Sequence, residues 1–234
     1  MPHPSREHEI VSVLAGLFEE MVREPEPPSR GEANYTIIAL CGNRMIAYER
    51  AWALPRTMLA RTGFSDPVEM CTSLSVAELE TVIRQPPCGH RLPGRIAAAM
   101  SGTAHDVADM YAGDARNLYL SQDVATVLAR LEALPGYGQK LARLALRIIL
   151  LDWAGDVRGD RAALDVTPDL HVCRVLFRLG LIERAEPRLA IEAARRLSPS
   201  APYLVDGAFA LGTTICGAKP KCGACPLWVH CPQF

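Results

Sequence analysis

Lys140 closes the run Leu134-Pro135-Gly136-Tyr137-Gly138-Gln139-Lys140, in which a proline and two glycines turn the chain sharply into a helix. It is one of three lysines, set against twenty-two arginines. Arginine stays protonated in proteins, whereas a lysine amine can be made neutral and nucleophilic. The partial positive charge of a helix N-terminus disfavours an ammonium, so a lysine in the first turn breaks a local rule in a chemically useful direction. The glycine turn has a use of its own. Gly136, Tyr137, Gly138 and Gln139 would present backbone N–H groups at a helix start, a concavity that binds phosphate without reading bases. The same residues could equally make an ordinary tight turn between two helices.

A carboxylate to match the amine is found at Asp169, in Asp169-Leu170-His171-Val172-Cys173-Arg174-Val175. At a helix start the dipole favours the ionised acid. A neutral amine and an ionised carboxylate are what covalent and acid–base catalysis need as a pair. Taken alone, Asp169 reads as a helix cap. Asp160 and Asp165 are rival carboxylates at less clear helix starts, and His171 reads as a neighbouring or packing group.

The third chemical feature is Cys216-x5-Cys222-x2-Cys225-x5-Cys231, four cysteines within sixteen residues and punctuated by Pro220, Pro226 and Pro232. Thiolates this dense call for a metal, either tetrahedral zinc or a [4Fe–4S] cluster. Zinc sites usually pair two Cys-x2-Cys units and this chain has one, which leans toward iron–sulfur. Lys219 and Lys221 lie inside the first gap. Cys41, Cys71, Cys88 and Cys173 are scattered and read as small buried hydrophobes.

These residues need a helical frame. Helix formers dominate and alternating β-branched runs are nearly absent, so the fold class is all-α. Apolar spacing predicts an amphipathic helix over His8–Arg23, a Pro-rich linker over Glu24–Arg30, and one or two buried helices over Asn34–Arg61. Ser75–Arg84 is a helix with Ser75 as N-cap and Glu78 completing a capping box. Pro86–Gly94 is loop, Ile96–Ala112 a helix, and Gln122–Ala133 a half-buried helix entering the glycine turn. Gln139–Leu151 is a central apolar helix, followed by a charged loop, Asp152–Leu164. Thr167-Pro168-Asp169 starts the next helix, with Thr167 as cap. Two more helices are expected at Leu189–Leu197 and Tyr203–Ile215.

The bulk numbers narrow the function further. With 234 residues, 49% of them hydrophobic, the chain can bury one large or two small cores. The net charge of −1 conceals a split, −5 over residues 1–133 and +4 over residues 134–234, which hints at an anionic partner for the basic half. No stretch is long and apolar enough to span a bilayer, and no secretory signal opens the chain. Eight cysteines without such a signal point to metal chemistry in a reducing compartment rather than to disulfides.

In combination, LPGYGQK, DLHVCRVLFRLG, Gly212-x3-Cys216 and the terminal cysteine loop resemble the endonuclease III family of helix–hairpin–helix DNA glycosylases. The resemblance covers roughly the last hundred residues. It implies an all-α protein of two domains flanking a DNA-binding cleft. A six-helix barrel would span 33–151, with the helix–hairpin–helix at about 122–151. Residues 1–32 and 152–234 would form the second domain, carrying a [4Fe–4S] loop at 216–231. Lys140 becomes the Schiff-base nucleophile, Asp169 its carboxylate, and Cys216, Cys222, Cys225 and Cys231 the cluster ligands. Gly136, Tyr137, Gly138, Gln139, Lys219 and Lys221 become DNA contacts. The partner is double-stranded DNA with damaged bases or abasic sites, met by a cytoplasmic, nucleoid-associated monomer. The implied activity is base excision with AP lyase cleavage.

The chain departs from the family pattern at three places. The first cysteine gap is short, the Lys140–Asp169 interval is long, and two segments differ. Leu40-Cys41-Gly42-Asn43-Arg44-Met45-Ile46 stands where the family has Ser-Ala-Gln followed by an aspartate, leaving Asn43, with His171, as lesion-pocket candidates. Gly89-His90-Arg91-Leu92-Pro93-Gly94-Arg95 replaces a lysine-containing turn. These departures define the rival reading, a paralogue that binds damaged DNA with little or no catalysis.

Overall fold

A computed structural model describes residues 5–22, 24–44, 46–153, 155–159 and 163–232. Eleven α-helices and two two-residue strands are found among them, so the all-α expectation holds. Asp160 and Met45 lie outside the described residues. The chain divides into two compact units. One takes the described residues of Met1–Pro25, Leu150–Asp152 and Gly159–Phe234; the other takes those of Glu26–Ile149 and Trp153–Arg158.

The middle unit is built from α2 (Arg30–Cys41), α3 (Tyr48–Thr62), α4 (Pro67–Ser73), α5 (Val76–Arg84), α6 (Pro93–Met110), α7 (Val124–Ala133) and α8 (Gln139–Arg147). Local chemistry sets several of these boundaries. Ser29 with Glu32, and Ser75 with Glu78, form reciprocal capping boxes at α2 and α5. Asp66 caps α4, a helix the apolar spacing did not reveal because it is only two turns long. Pro93 opens α6, so the end of the expected Pro86–Gly94 loop is helical instead; proline is well suited to a first helical turn. α2 is buried along most of its length and packs on α3, α4, α6 and α8. The central helix after the hairpin is α-helical to Arg147 and widens to a π-turn over Ile148–Asp152. Strand β1 (Gln122–Asp123) pairs in parallel with β2 (Val157–Arg158). Ser121 adds to that pairing, its N–H and hydroxyl meeting the Asp156 carbonyl and carboxylate at 2.9 Å each.

The terminal unit packs α1 (Arg6–Glu19) against α11 (Gly207–Thr214), with α9 (Leu170–Arg178) and α10 (Pro187–Leu197) completing the group. Ile10 and Leu14 of α1 share one core with Val172, Val175, Leu176, Val205, Ala208 and Leu211. The approach of α1 to α11 depends on a residue without a side chain. A Cβ on Gly207 would lie 1.8 Å from the Leu14 carbonyl oxygen. Gly212 does the same for α9, where a Cβ would meet the His171 Cβ at 2.9 Å.

One expected helix start is corrected. Thr167 does not cap α9; Asp169 does, and the helix begins at Leu170. Thr167 is engaged elsewhere, its N–H donating to Asp206 Oδ1 at 2.7 Å and its hydroxyl to Oδ2 at 2.9 Å. A distant carboxylate has outcompeted the local capping role.

Candidate functional site

Each candidate group is built by its own unit. In the middle unit, α7 ends at Ala133 with Leu134 as its C-cap and Gly138 caps α8, so Pro135, Gly136 and Tyr137 make the hairpin. Its conformation is held from several sides. Gly136 has φ +82°, and a Cβ there would stand 2.5 Å from the Ala99 Cβ on α6. Only glycine combines that left-handed backbone with that approach. The Thr103 hydroxyl donates to the Pro135 carbonyl at 2.9 Å, and a Cβ on Gly102 would meet the Pro135 ring at 2.8 Å. Arg44 donates to the Gly136 carbonyl.

Tyr137 points inward. Its side chain is buried and its hydroxyl donates to the Ile37 carbonyl of α2 at 2.7 Å; burial holds the phenol well above its ordinary pKa. Of the expected DNA contacts, therefore, Tyr137 has only its backbone to offer a ligand; its side chain is an internal anchor. Gly138 and Gln139 are exposed and Lys140, in the first turn of α8, is half-buried. Gly138 differs from Gly136: its φ is −140° and a Cβ would meet nothing within 4 Å. Nothing inside the protein requires glycine there, whereas a ligand lying against the backbone would. Asn43 follows α2 and is half-buried, with its N–H on the Leu40 carbonyl at 3.0 Å.

In the terminal unit, Asp169 is buried and caps α9, Oδ1 accepting from the N–H groups of His171 at 2.8 Å and Val172 at 2.9 Å. The stretch leading to it is braced. Asp165 takes a two-pronged bond from Arg195, Nε to Oδ1 at 2.6 Å and Nη2 to Oδ2 at 2.8 Å. That commits the rival carboxylate to an ion pair with α10. Asp206 holds Thr167 as described. His171 packs edge-on to Phe209 at 5.6 Å, with Nδ1 3.1 Å from the Gly212 carbonyl and 2.9 Å from Arg174 Nη2.

The four clustered cysteines line a cavity of about 250 Å³, together with Arg178, Ile215, Pro220 and Trp228. α9 supplies its polar wall. Arg178 Nη1 donates to the Gly217 carbonyl at 2.7 Å and to Cys216 Sγ at 3.4 Å. The Cys231 thiol meets the Arg178 carbonyl at 3.4 Å, and Arg174 Nε donates to the Cys216 carbonyl at 2.9 Å. The thiols face a common space without converging: no three His, Cys, Asp or Glu groups among the described residues are placed to hold a single metal ion. A tetrahedral zinc, with Zn–S bonds of about 2.3 Å, needs the sulfurs drawn to one point. Four thiols around one cavity are a donor set that either a zinc ion or a [4Fe–4S] cluster could use. Lys219 and Lys221 flank Pro220 and are exposed. The scattered cysteines differ in kind. Burial pushes the Cys41 thiol up to about 11, Cys71 to about 12 and Cys173 to about 11, so they stay protonated and inert at neutral pH.

Sequence reasoning reached the donors but missed their supports. Arg44, His90, Thr103 and Asp206 act across 32 to 92 residues of chain, and no local pattern announces them. Gly102 and Gly207 carried a signal, a glycine within or opening a helix, that could have marked close approach.

No family model matches the chain, and no curated protein does. Solved structures do. A trapped covalent endonuclease III–DNA intermediate, an estranged-adenine complex, superposes with a TM-score of 0.71 at 18% identity, covering 99% of this chain and 97% of that one. A non-covalent endonuclease III–DNA complex gives 0.73 at 18%, with the same coverage. A thermostable thymine-DNA glycosylase gives 0.65 at 16%, covering 98% and 96%. The chain thus has the helix–hairpin–helix glycosylase fold over nearly its whole length.

Proposed function

We propose that this chain is a divergent member of the endonuclease III family, a base-excision DNA glycosylase with AP lyase activity on oxidised pyrimidines or abasic sites. One observation carries the reading. In a chain with the endonuclease III fold, the hairpin leads into α8 with Lys140 in its first turn, two residues after an exposed glycine with open space around its Cα. The first-turn N–H groups of α8 would receive a DNA phosphate, from a hairpin whose own side chains are tucked inward.

The chemistry follows from the amine. A damaged nucleotide must leave the stack before C1′ can be reached. The lone pair of the Lys140 Nζ forms a bond to C1′ while the bond to the base breaks, its electron pair leaving with the base, which takes up a proton. The Asp169 carboxylate offsets the positive charge that grows on the sugar. The C1′–O4′ bond then opens, its electron pair going to O4′, which takes up a proton as the nitrogen gives one up. The resulting protonated imine acidifies C2′–H, and loss of that proton expels the 3′ phosphate with its electron pair and nicks the strand. Cys216, Cys222, Cys225 and Cys231 would hold a [4Fe–4S] cluster, which when bound would stiffen the loop carrying Lys219 and Lys221 so that both can reach phosphates.

Borohydride reduction in the presence of abasic-site DNA tests this directly. Wild-type protein is expected to give a covalent adduct, and Lys140→Gln none. The departures at 40–46, where Ile46 stands in place of an acid, favour the rival reading of a non-catalytic binder. Tight binding to every lesion duplex with no adduct from protein of full metal content would establish that rival and refute the lyase.

A further inference from the structure

The two segments that depart most from the family pattern, 40–46 and 89–95, are joined in the fold by one buried imidazole. His90 is 5% exposed. The Leu92 N–H donates to its Nδ1 at 3.0 Å, so that nitrogen carries no proton and Nε2 does. Nε2 in turn donates to the Gly42 carbonyl at 3.1 Å. The same carbonyl accepts the Arg44 N–H at 2.8 Å, closing a tight turn at the end of α2. The turn has little room to relax: a Cβ on Gly42 would lie 3.0 Å from Leu54 Cδ2 and 3.3 Å from the Ala39 carbonyl oxygen. Arg50 of α3 secures the other side, donating to the carbonyls of Cys88 at 3.2 Å and Gly89 at 3.5 Å.

What this turn delivers is the Arg44 guanidinium, which donates to the carbonyl of Gly136. The peptide between Gly136 and Tyr137 is then held at both ends, because the Tyr137 N–H donates to the Leu134 carbonyl at 2.9 Å. Fixing that plane fixes the direction in which Gly138 and the first turn of α8 leave the hairpin.

We propose that Arg44 and His90 form a clasp that positions the hairpin for DNA: His90 sets the 42–44 turn, and the turn places Arg44 on the Gly136 carbonyl. Both are positioning residues. The assignment rests on the reading of the hairpin as the DNA platform, and it gives the two altered segments a shared role. In this arrangement one terminal nitrogen of the Arg44 guanidinium is engaged by a protein carbonyl.

The test uses the full-length, metal-loaded protein and two independent readouts. Amide hydrogen exchange over residues 136–141 is measured without DNA; binding to a duplex bearing a tetrahydrofuran abasic analogue is measured across a salt series. Arg44→Met and His90→Phe are each expected to speed hairpin exchange and to weaken binding by about tenfold, the scale of a hydrogen bond to a charged group. The slope of log Kd against log salt is expected to stay at the wild-type value. Arg44→Lys and His90→Gln keep one donor each and are expected to restore part of both losses; they also keep the test readable should the harsher variants fail to fold. Unchanged hairpin exchange in Arg44→Met, with a salt slope reduced by about 0.9, would make Arg44 a direct phosphate ligand and overturn the clasp. Faster exchange with unchanged binding would leave the contact intact but overturn its role in DNA binding, whereas full affinity in Gly138→Ala, at the exposed hairpin backbone, would count against the hairpin as platform instead.

Discussion

His90 can serve the middle unit only as a neutral imidazole, because its Nδ1 is the acceptor for Leu92 N–H. Burial lowers its pKa from the ordinary value, the nearby Arg50 charge pushes the same way, and backbone bonds around Gly42 and Arg44 oppose part of the shift. The sign of the linkage follows. As pH falls below about 6.5, the unfolded chain takes up a proton that the folded His90 refuses, so stability is lost between that value and the lowered folded one. Below the folded value no further loss comes from this group. Thermal melts from about pH 7.5 down to about pH 5 are expected to show a steeper fall in Tm for wild type than for His90→Gln. Parallel curves would remove His90 from the account. Two carboxylates show how surroundings divide structural roles between like residues. Asp165 and Asp169 are four residues apart, yet one is locked to Arg195 and the other caps α9.

Among the elements, the hairpin makes the sharpest separation between folding and binding. Gly136→Ala forces a Cβ into a left-handed backbone and against Ala99, and overpacking of this kind costs about 1–3 kcal/mol. Gly138→Ala meets no such obstacle, since its backbone is extended and the space is open. A Gly→Ala change at a compatible site stabilises by about 0.4–1 kcal/mol through the unfolded chain. Chemical denaturation is therefore expected to show Gly136→Ala destabilised and Gly138→Ala unchanged or slightly more stable. DNA binding is expected to fall in both, because the added methyl at 138 would stand where a phosphate approaches the backbone. Full affinity in Gly138→Ala would sink the view that this glycine is kept for a ligand.

Across the whole molecule, the chain builds two units with different means of support. The middle unit relies on a buried α2 and a closely packed α6. The terminal unit closes α1 on α11 through Gly207 and then adds the cysteine cavity. A structural metal site contributes its binding energy to folding. Anaerobically prepared protein is expected to carry about four irons per chain, with broad absorbance near 400 nm. Chelation is expected to lower the melting transition of the terminal unit while sparing the middle one. Zinc in place of iron, in a colourless protein, would overturn the cluster assignment.

The residues with chemical character stood out in the sequence because their signals are short-range. Lys140 after a glycine turn, Asp169 at a helix start and four cysteines within sixteen residues need only neighbouring positions to be noticed. The same is true of the capping box at Ser75 and Glu78, which closes within four residues. Where a local signal met a distant competitor it misled: Thr167 looked like the cap of α9 until Asp206, 39 residues on, claimed its N–H and hydroxyl. The Tyr137 side chain looked like a DNA contact until its hydroxyl found Ile37, 100 residues back, leaving only the backbone for a ligand. The sequence by itself marked which groups are candidates to act and where a helix with a purely local cap begins, as at Ser75, because propensity, capping and donor spacing are properties of adjacent residues. Only the tertiary structure decided what holds those groups. The Arg44–His90 clasp, the Asp165–Arg195 fork and the cavity wall at Arg178 are made by residues far apart in the chain, which acquire their hydrogen-bond partners only when the helices pack.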